Sequence, residues 1–336
     1  MMSGSKPKII VVTPVKNEDW ILDRFLSVTS QFADLIIIAD QNSTDGSKEI
    51  CNKYPKVKLI ENQLEQYDEA SRQILLLQTA RQLVPDHKII LALDADEIMA
   101  ANAIHTIGWQ TMLKAQPGTI LCFEKPDLYL KPEQCIRYDV AWPLGYVDDG
   151  VEHQPKRVHS IRIPIPDNAP RLDIHDVKII HYAITRLTAQ SSKWRMYSVI
   201  ENIYRVNPLF RRRKSYSSVK NWTQGGTLQK ACYEWFEGWE RSGIDMKTII
   251  NYKYYWQDVE VIKYFHKYGI KRFWLDDIWN FNWEACRLYA QQQGIQDIPS
   301  IPIQKPPLLL KVLMAILDQV YTCLATIKNI GLSIFY

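Results

Sequence analysis

Nine residues, Ile89-Ile90-Leu91-Ala92-Leu93-Asp94-Ala95-Asp96-Glu97, restrict what this chain can fold into more than any other stretch. Five apolar residues end abruptly in two carboxylates spaced i, i+2, with a third directly behind. A short continuous apolar run bounded by polar residues predicts a strand buried on both faces. In an open α/β sheet, ligands bind where such strands end. Asp94 and Asp96 do not suit a core, because an unpaired buried carboxylate is very costly. Two carboxylates converging on one point do suit a hard divalent cation that keeps positions open for phosphate oxygens. The competing reading is that both simply cap the next helix, since Asp favours N-caps.

The preceding residues repeat the same grammar. Ile9–Val12 reads as a buried strand that Pro14 should end, because proline offers the ladder no donor. Residues 19–26 place Ile21, Leu22, Phe25 and Leu26 on one helical stripe. Leu35–Ala39 is a second strand ending at Asp40, followed by Gln41-Asn42-Ser43-Thr44-Asp45-Gly46-Ser47, a run of turn and capping residues. A helix over 48–54, a strand over 57–60 and a longer helix over 69–83 lead to the Ile89 run. Strands alternating with helices predict βαβ units, a parallel sheet and right-handed crossovers. Asp40 and Asp94 then share one sheet edge. No GxGxxG and no GxxxxGK[ST] is present, so phosphate must be held by metal and basic side chains.

Four ordered segments carry a resemblance: Thr13-Pro14-Val15-Lys16-Asn17-Glu18, Ala39–Ser47, Ala70-Ser71-Arg72-Gln73 and Leu93–Glu97. In order and spacing, over roughly residues 8–200, they resemble the GT-A glycosyltransferases of family 2. The resemblance implies a Rossmann-like, mostly parallel sheet flanked by helices, a nucleoside-diphosphate sugar donor, and a divalent metal, manganese or magnesium. It implies that Pro14, Val15 and Glu18 line the nucleobase and ribose pocket, that Asp40 binds base or ribose, and that Arg72 helps hold the nucleotide. Asp94 would face ribose or metal, and Asp96 would ligate the metal. A lone histidine after a strand is usually structural, but many GT-A enzymes use a late His-Tyr pair as a metal ligand. His181-Tyr182 is such a pair, so His181 is the expected ligand, with His175 a lesser candidate.

The acceptor side is less legible. Residues 119–124 read as a strand, 127–138 as a hairpin or loop, and the stretch from Lys156 through Val158–Ile165 as another strand. Trp142–His153, rich in turn residues, aromatics and acids, is the expected acceptor loop. An inverting transfer needs a carboxylate to take the acceptor hydroxyl proton. Asp149 and Glu152 are the candidates, with Asp148, Asp176 and Glu124 kept open. Arg186, Lys193 and Arg195 are weighed equally as a diphosphate clamp or a basic solvent face, and Arg211–Lys214 as an exposed charge run.

Seven of the eleven tryptophans fall between residues 222 and 283, which predicts an aromatic-rich helical subdomain whose rings mostly pack. Expected boundaries are 1–205 for the GT-A domain, 206–298 for that subdomain, and 299–336 for a proline-rich linker and an apolar, amphipathic C-terminal helix. Spanning a bilayer would bury Asp318 near the centre of residues 308–324, at about 2.5–3.5 kcal/mol. An in-plane anchor avoids this, so peripheral membrane association is preferred to docking.

A net charge of +4 is too small to make nucleic acid the main partner. Six scattered cysteines without CxxC fit a reducing compartment, and residues 1–12 lack a signal-type apolar region. The expectation is therefore a cytoplasmic enzyme, at the membrane face, moving sugar to a saccharide or lipid-linked acceptor as in polysaccharide biosynthesis. The rivals are a nucleotidyltransferase, which should show a glycine-rich phosphate loop, a dehalogenase-type phosphatase, and a non-catalytic nucleotide-binding scaffold.

Overall fold

The computed structural model describes residues 6–63, 67–217, 223 and 225–319. The first half alternates as expected: β1 (Lys8–Val15), α1 (Asp19–Thr29), β2 (Leu35–Asp40), α2 (Ser47–Cys51), β3 (Val57–Glu61), α3 (Glu69–Leu83) and β4 (Lys88–Ala92). There follow β5 (Glu97–Met99), α4 (Ile107–Met112), β6 (Ile120–Glu124), β7 (Asp127–Tyr129), β8 (Lys131–Arg137), β9 (Ala141–Val147) and β10 (Arg171–His181). Then come α5 (Leu187–Tyr204), α6 (Leu209–Ser215), β11 (Thr227–Lys230), α7 (Glu237–Arg241), α8 (Trp256–Tyr268) and α9 (Trp283–Gln292). The chain forms two compact units, residues 1–187 with 223–251 and residues 188–222 with 252–336.

In the first unit β1 pairs in parallel with β2 and β4, and β2 with β3. Continuous apolar runs suit these strands because both faces are covered. Ile9, Val11 and Val15 pack in one cluster with Phe25 and Leu26 of α1, while Ile10 and Val12 pack in another with Leu76, Leu77 and Ala80 of α3. Each fully buried side chain of this size contributes about 1.5–3 kcal/mol relative to exposure. α3 has the expected bounds, and Asp68 caps it by accepting from the Ser71 amide at 3.1 Å. Pro14 does not end β1. Pairing with β4 stops at Val12, while pairing with β2 runs on to Val15 opposite Asp40. Flanked on one side only, the strand can there dispense with alternate donors.

Beyond β4 the sheet becomes mixed. β9 runs antiparallel between β4 and β6, so β6 and its parallel partner β10 point the same way as β4. β7 and β8 form the hairpin expected over 127–138. Near its end β10 shifts register, takes β5 as an antiparallel partner, and finishes with His181 opposite Asp127.

The strand expected over 158–165 is absent. Residues 148–170 contain no regular element; they run along α3, whose side chains satisfy them instead. Arg81 Nη2 donates to Val151 O at 2.7 Å, His153 Nε2 meets Gln73 Oε1 at 3.0 Å, and Ser160 N donates to Glu69 Oε2 at 3.0 Å. Ile163 is fully buried in the α3 cluster. Burial and the nearby Arg81 push the His153 imidazole down to about 4, so it stays neutral. Of the alternating Val158, Ile161, Ile163 and Ile165, only Val158 and Ile163 are buried, and Ile161 and Ile165 are exposed, so the pattern marks no ladder.

Residues 223–251 belong to the first unit because their aromatics join its core. Trp235, Phe236 and Trp239 are buried there, and Trp239 Nε1 donates to Met99 O at 2.8 Å. The second unit is helical, and its aromatics pack as expected. Phe265 stacks on Trp279 at 5.5 Å between ring centroids and meets the edge of Trp283 at 5.1 Å. The Arg211–Lys214 run is only half exposed. Arg212 is buried with Nη2 2.8 Å from Asp276 Oδ1, and Arg213 Nε donates to Asp318 Oδ1 at 2.8 Å. Residues 308–319 are helical; residues 320–324 of the expected apolar segment lie outside the described residues. No helix among the described residues is long and apolar enough to cross a membrane.

At the amino end of β4, Asp148 is buried between Arg81 Nη2 at 2.8 Å and Lys88 Nζ at 3.0 Å. Burial pushes its carboxyl up, but the two cations outweigh that and hold it below the usual carboxylate range. We predict that Asp148→Ala lowers unfolding free energy by about 3–5 kcal/mol, because it strands buried cations. Since the folded value lies below the unfolded one, the contribution is present above the ordinary carboxylate range and is lost as pH falls through it. Denaturant titrations at neutral and acid pH check both statements; a mutational loss independent of pH refutes the second.

Candidate functional site

The carboxyl ends of β1, β2 and β4 meet at one edge, as the motif order requires. Two loops there lock together through side chains. Ser43 Oγ accepts from the Asn17 amide at 2.9 Å, Asn17 Oδ1 from the Thr44 amide at 2.7 Å, and Asp45 Oδ2 from the Asp19 amide at 3.0 Å. Asn17 and Asn42 have φ of 55° and 51°, a left-handed conformation that asparagine tolerates better than most residues. Beneath these loops Asp40 is buried. Its Oδ2 accepts from the Ser43 amide at 3.1 Å and lies 3.4 Å from Lys48 Nζ, while Oδ1 finds no hydrogen-bond partner among the described residues. Glu18 Oε2 accepts from Trp20 Nε1 at 2.7 Å.

At the β4 end the four residues of the acidic motif divide their roles. Glu97 is 1% exposed and receives four hydrogen bonds. Lys125 Nζ and Arg162 Nη2 donate to Oε1, both at 2.9 Å; Arg162 Nη1 donates to Oε2 at 2.8 Å, and the Asp94 amide to Oε2 at 3.0 Å. Burial pushes this carboxyl up, but Arg162 and Lys125 hold it well below the usual carboxylate range. Arg162 Nη1 also lies 3.0 Å from Asp94 Oδ1. Arg72, Pro14 and Arg162 line one pocket with Val12 and Ala92, and Arg72 lies over the Tyr67 ring at 5.1 Å.

Asp96 Oδ2 lies 3.6 Å from His181 Nε2, too far for a hydrogen bond. Two donors each about 2.1 Å from a shared Mg²⁺-sized cation can stand up to roughly 4 Å apart, so this spacing fits two ligands of one ion. On its other side His181 Nδ1 meets Asp127 Oδ1 at 2.6 Å. A carboxylate behind a histidine fixes the ring and would leave Nε2 available to a metal. Burial and Lys125 push the imidazole down, but Asp96 and Asp127 together raise it above its usual value. Among the described residues no cluster of three or more metal-ligating side chains occurs. An ion held here would therefore complete its shell from phosphate oxygens and water.

The structure brings Pro14, Asp40, Arg72, Asp94, Asp96 and His181 to this edge, with Glu18 in the adjoining loop. It does not bring Asp149 or Glu152 there. The Asp148 amide donates to Lys88 O at the amino end of β4, about six residues, or roughly 20 Å, from Asp94. Asp149 Oδ1 accepts from Tyr146 OH at 2.8 Å and from the Val151 amide. β9 runs antiparallel, so only the start of the expected acceptor loop, Trp142, reaches the carboxyl edge, where Lys125 lies over its ring at 5.3 Å. The Val15 side chain is buried and packs in the cluster with Phe25 and Leu26.

The other basic and acidic candidates are committed elsewhere. Asp176 accepts from the Gly108 amide, and Glu124 pairs with Lys178 and His175. Arg186 is buried over the Trp20 ring at 4.0 Å, and Arg195 forms a two-bond pair with Asp258 inside the second unit. Sequence reasoning missed Lys125, Asp127 and Arg162. Arg162 stands between two isoleucines in an alternating stretch that reads as a strand, so nothing local marked it.

The sheet, its flanking helices and this edge define a GT-A α/β fold. Residues 10–107, from β1 into the start of α4, match the model of glycosyl transferase family 2. A solved 4-diphosphocytidyl-2C-methyl-D-erythritol synthase is 18% identical, with 35% of this chain covering 60% of that one at a TM-score of 0.28. Glucosyl-3-phosphoglycerate synthase from Mycobacterium tuberculosis, solved with Mn²⁺, uridine diphosphate and glucosyl-3-phosphoglycerate, is 16% identical, covering 36% and 44% at a TM-score of 0.26. The chain thus spans less than two thirds of either protein. No curated protein matches it.

We predict that Glu97→Ala lowers unfolding free energy by about 3–5 kcal/mol, because Arg162 and Lys125 lose their buried counter-charge. Chemical denaturation measures this; a loss below about 1 kcal/mol, typical of exposed pairs, would show that water replaces the carboxylate.

Proposed function

We propose that the protein is a metal-dependent glycosyltransferase. It transfers a sugar from a nucleoside diphosphate to a hydroxyl of a saccharide or lipid-linked acceptor, with inversion at the anomeric carbon. The observation that carries this reading is the approach of Asp96 to His181, two residues from Asp94, at the edge where the strands of the segment matching the family 2 model end. The buried Oδ1 of Asp40 supports it, since an unsatisfied acceptor beneath the β1 and β2 loops suits an N–H or O–H of base or ribose. Pro14 and Arg72 wall the same side. Asp96 and His181 would hold Mg²⁺ or Mn²⁺, which supplies neutralising charge to the diphosphate leaving group. Asp127 keeps His181 oriented, and Asp94 accepts from ribose or assists the metal. In the transfer the acceptor oxygen bonds to the anomeric carbon as the bond to the diphosphate oxygen breaks, and the hydroxyl proton passes to water or to the departing diphosphate.

The protein also associates peripherally with the cytoplasmic face of a membrane in this reading. Leu308, Leu309, Val312, Leu313 and Ile316 are all exposed on the helix at 308–319, with Leu309 81% exposed. Met314, on another side, is buried, and Asp318 pairs with Arg213, which removes a charge from the apolar stripe. Exposed Arg211 and Lys214 add affinity for anionic headgroups.

Two predictions test these readings. In thermal-shift titrations one nucleoside diphosphate should stabilise the protein in a Mn²⁺-dependent manner, as ligand linkage requires. Asp96→Ala and His181→Ala should each remove the Mn²⁺-dependent part; an unchanged metal response in both sinks the metal assignment. Replacing Leu309 and Leu313 together by Asp should abolish co-sedimentation with anionic vesicles without changing melting temperature. Undiminished sedimentation refutes the membrane reading.

A further inference from the structure

We infer that Arg162 is a positioning residue of the donor site, setting the orientation of Asp94 from a strap that α3 holds in place. The inference rests on the reading that this edge binds a nucleoside-diphosphate sugar. Asp94 follows the end of β4, in a turn, with its side chain one-third exposed. Arg162 holds it. Both terminal nitrogens bind Glu97, Nη1 to Oε2 at 2.8 Å and Nη2 to Oε1 at 2.9 Å, which fixes the plane of the guanidinium through a bidentate fork. From that fixed plane Nη1 reaches Asp94 Oδ1 at 3.0 Å.

Glu97 in turn cannot rotate away. Its two oxygens are saturated by Arg162, Lys125 and the Asp94 amide. The strap is equally constrained: Glu69, Gln73 and Arg81 of α3 each bind it, and Ile163, next to Arg162, is buried against the same helix. Arg162 also lines the pocket that contains Pro14 and Arg72. A guanidinium recruited only to neutralise Glu97 would not need to touch Asp94.

The test is the affinity of the purified full chain for nucleoside diphosphates with Mn²⁺, by calorimetry, for the wild type, Arg162→Lys and Arg162→Ala. Lysine keeps the charge and loses the fork. Both variants should bind the nucleoside diphosphate preferred by the wild type about 10–100-fold more weakly, the usual effect of removing a partner that orients a site residue. Added guanidinium, but not ammonium, should restore affinity in Arg162→Ala, which a purely structural role would not produce. Folded variants that bind within about twofold of the wild type overturn the inference and leave the donor reading intact. If both variants fail to fold, Arg162 belongs to the scaffold and the inference is overturned. A wild type that binds no nucleoside diphosphate overturns the donor reading itself.

Discussion

Four donors surround the carboxylate of Glu97: the ammonium of Lys125, two nitrogens of Arg162 and the amide of Asp94. Withdrawing a carboxylate from water costs several kcal/mol even after relaxation, and only near-complete hydrogen bonding with opposite charge offsets it. The donors come from three separate places: the turn after β4, the residue after β6, and the strap along α3. Satisfying one side chain therefore brings these segments to fixed positions. The acidic edge has its shape because Glu97 is buried.

Both ends of β4 carry aspartates, and their surroundings give them opposite characters. At the amino end, Asp148 is 2% exposed in its side chain and enclosed by Arg81 and Lys88. At the carboxyl end, Asp94 and Asp96 are 33% and 18% exposed, and each meets a cationic or imidazole partner on one side. A closed pair of the first kind stabilises a fold; partly solvated carboxylates of the second kind retain the capacity to take a cation or a hydroxyl.

The sequence was most informative where a local pattern and a tertiary requirement coincide. α3 keeps the bounds its apolar spacing predicts because the same stripe packs on the sheet. The acidic motif reads clearly because buried strands cannot end in carboxylates without a reason. The place of Asp149 and Glu152 could not be read from the sequence, since which edge they occupy depends on β9 running antiparallel, a fact of pairing and not of composition. Arg162 was hidden for a related reason. Its alternating neighbours satisfy a strand pattern, yet the backbone of 148–170 finds its partners on a helix. Asp127 gave no signal because its significance lies in facing His181 across the β7–β10 pair.

The segment that matches family 2 closes at residue 107, whereas Lys125, Asp127, Arg162 and His181 all come later. During synthesis the ribosome therefore delivers the four ordered motifs of residues 13–97 well before the groups that complete them. A nascent chain at that length holds Glu97 without either cation and Asp96 without its histidine. The acidic edge therefore takes its final form only when β10 has paired into the sheet.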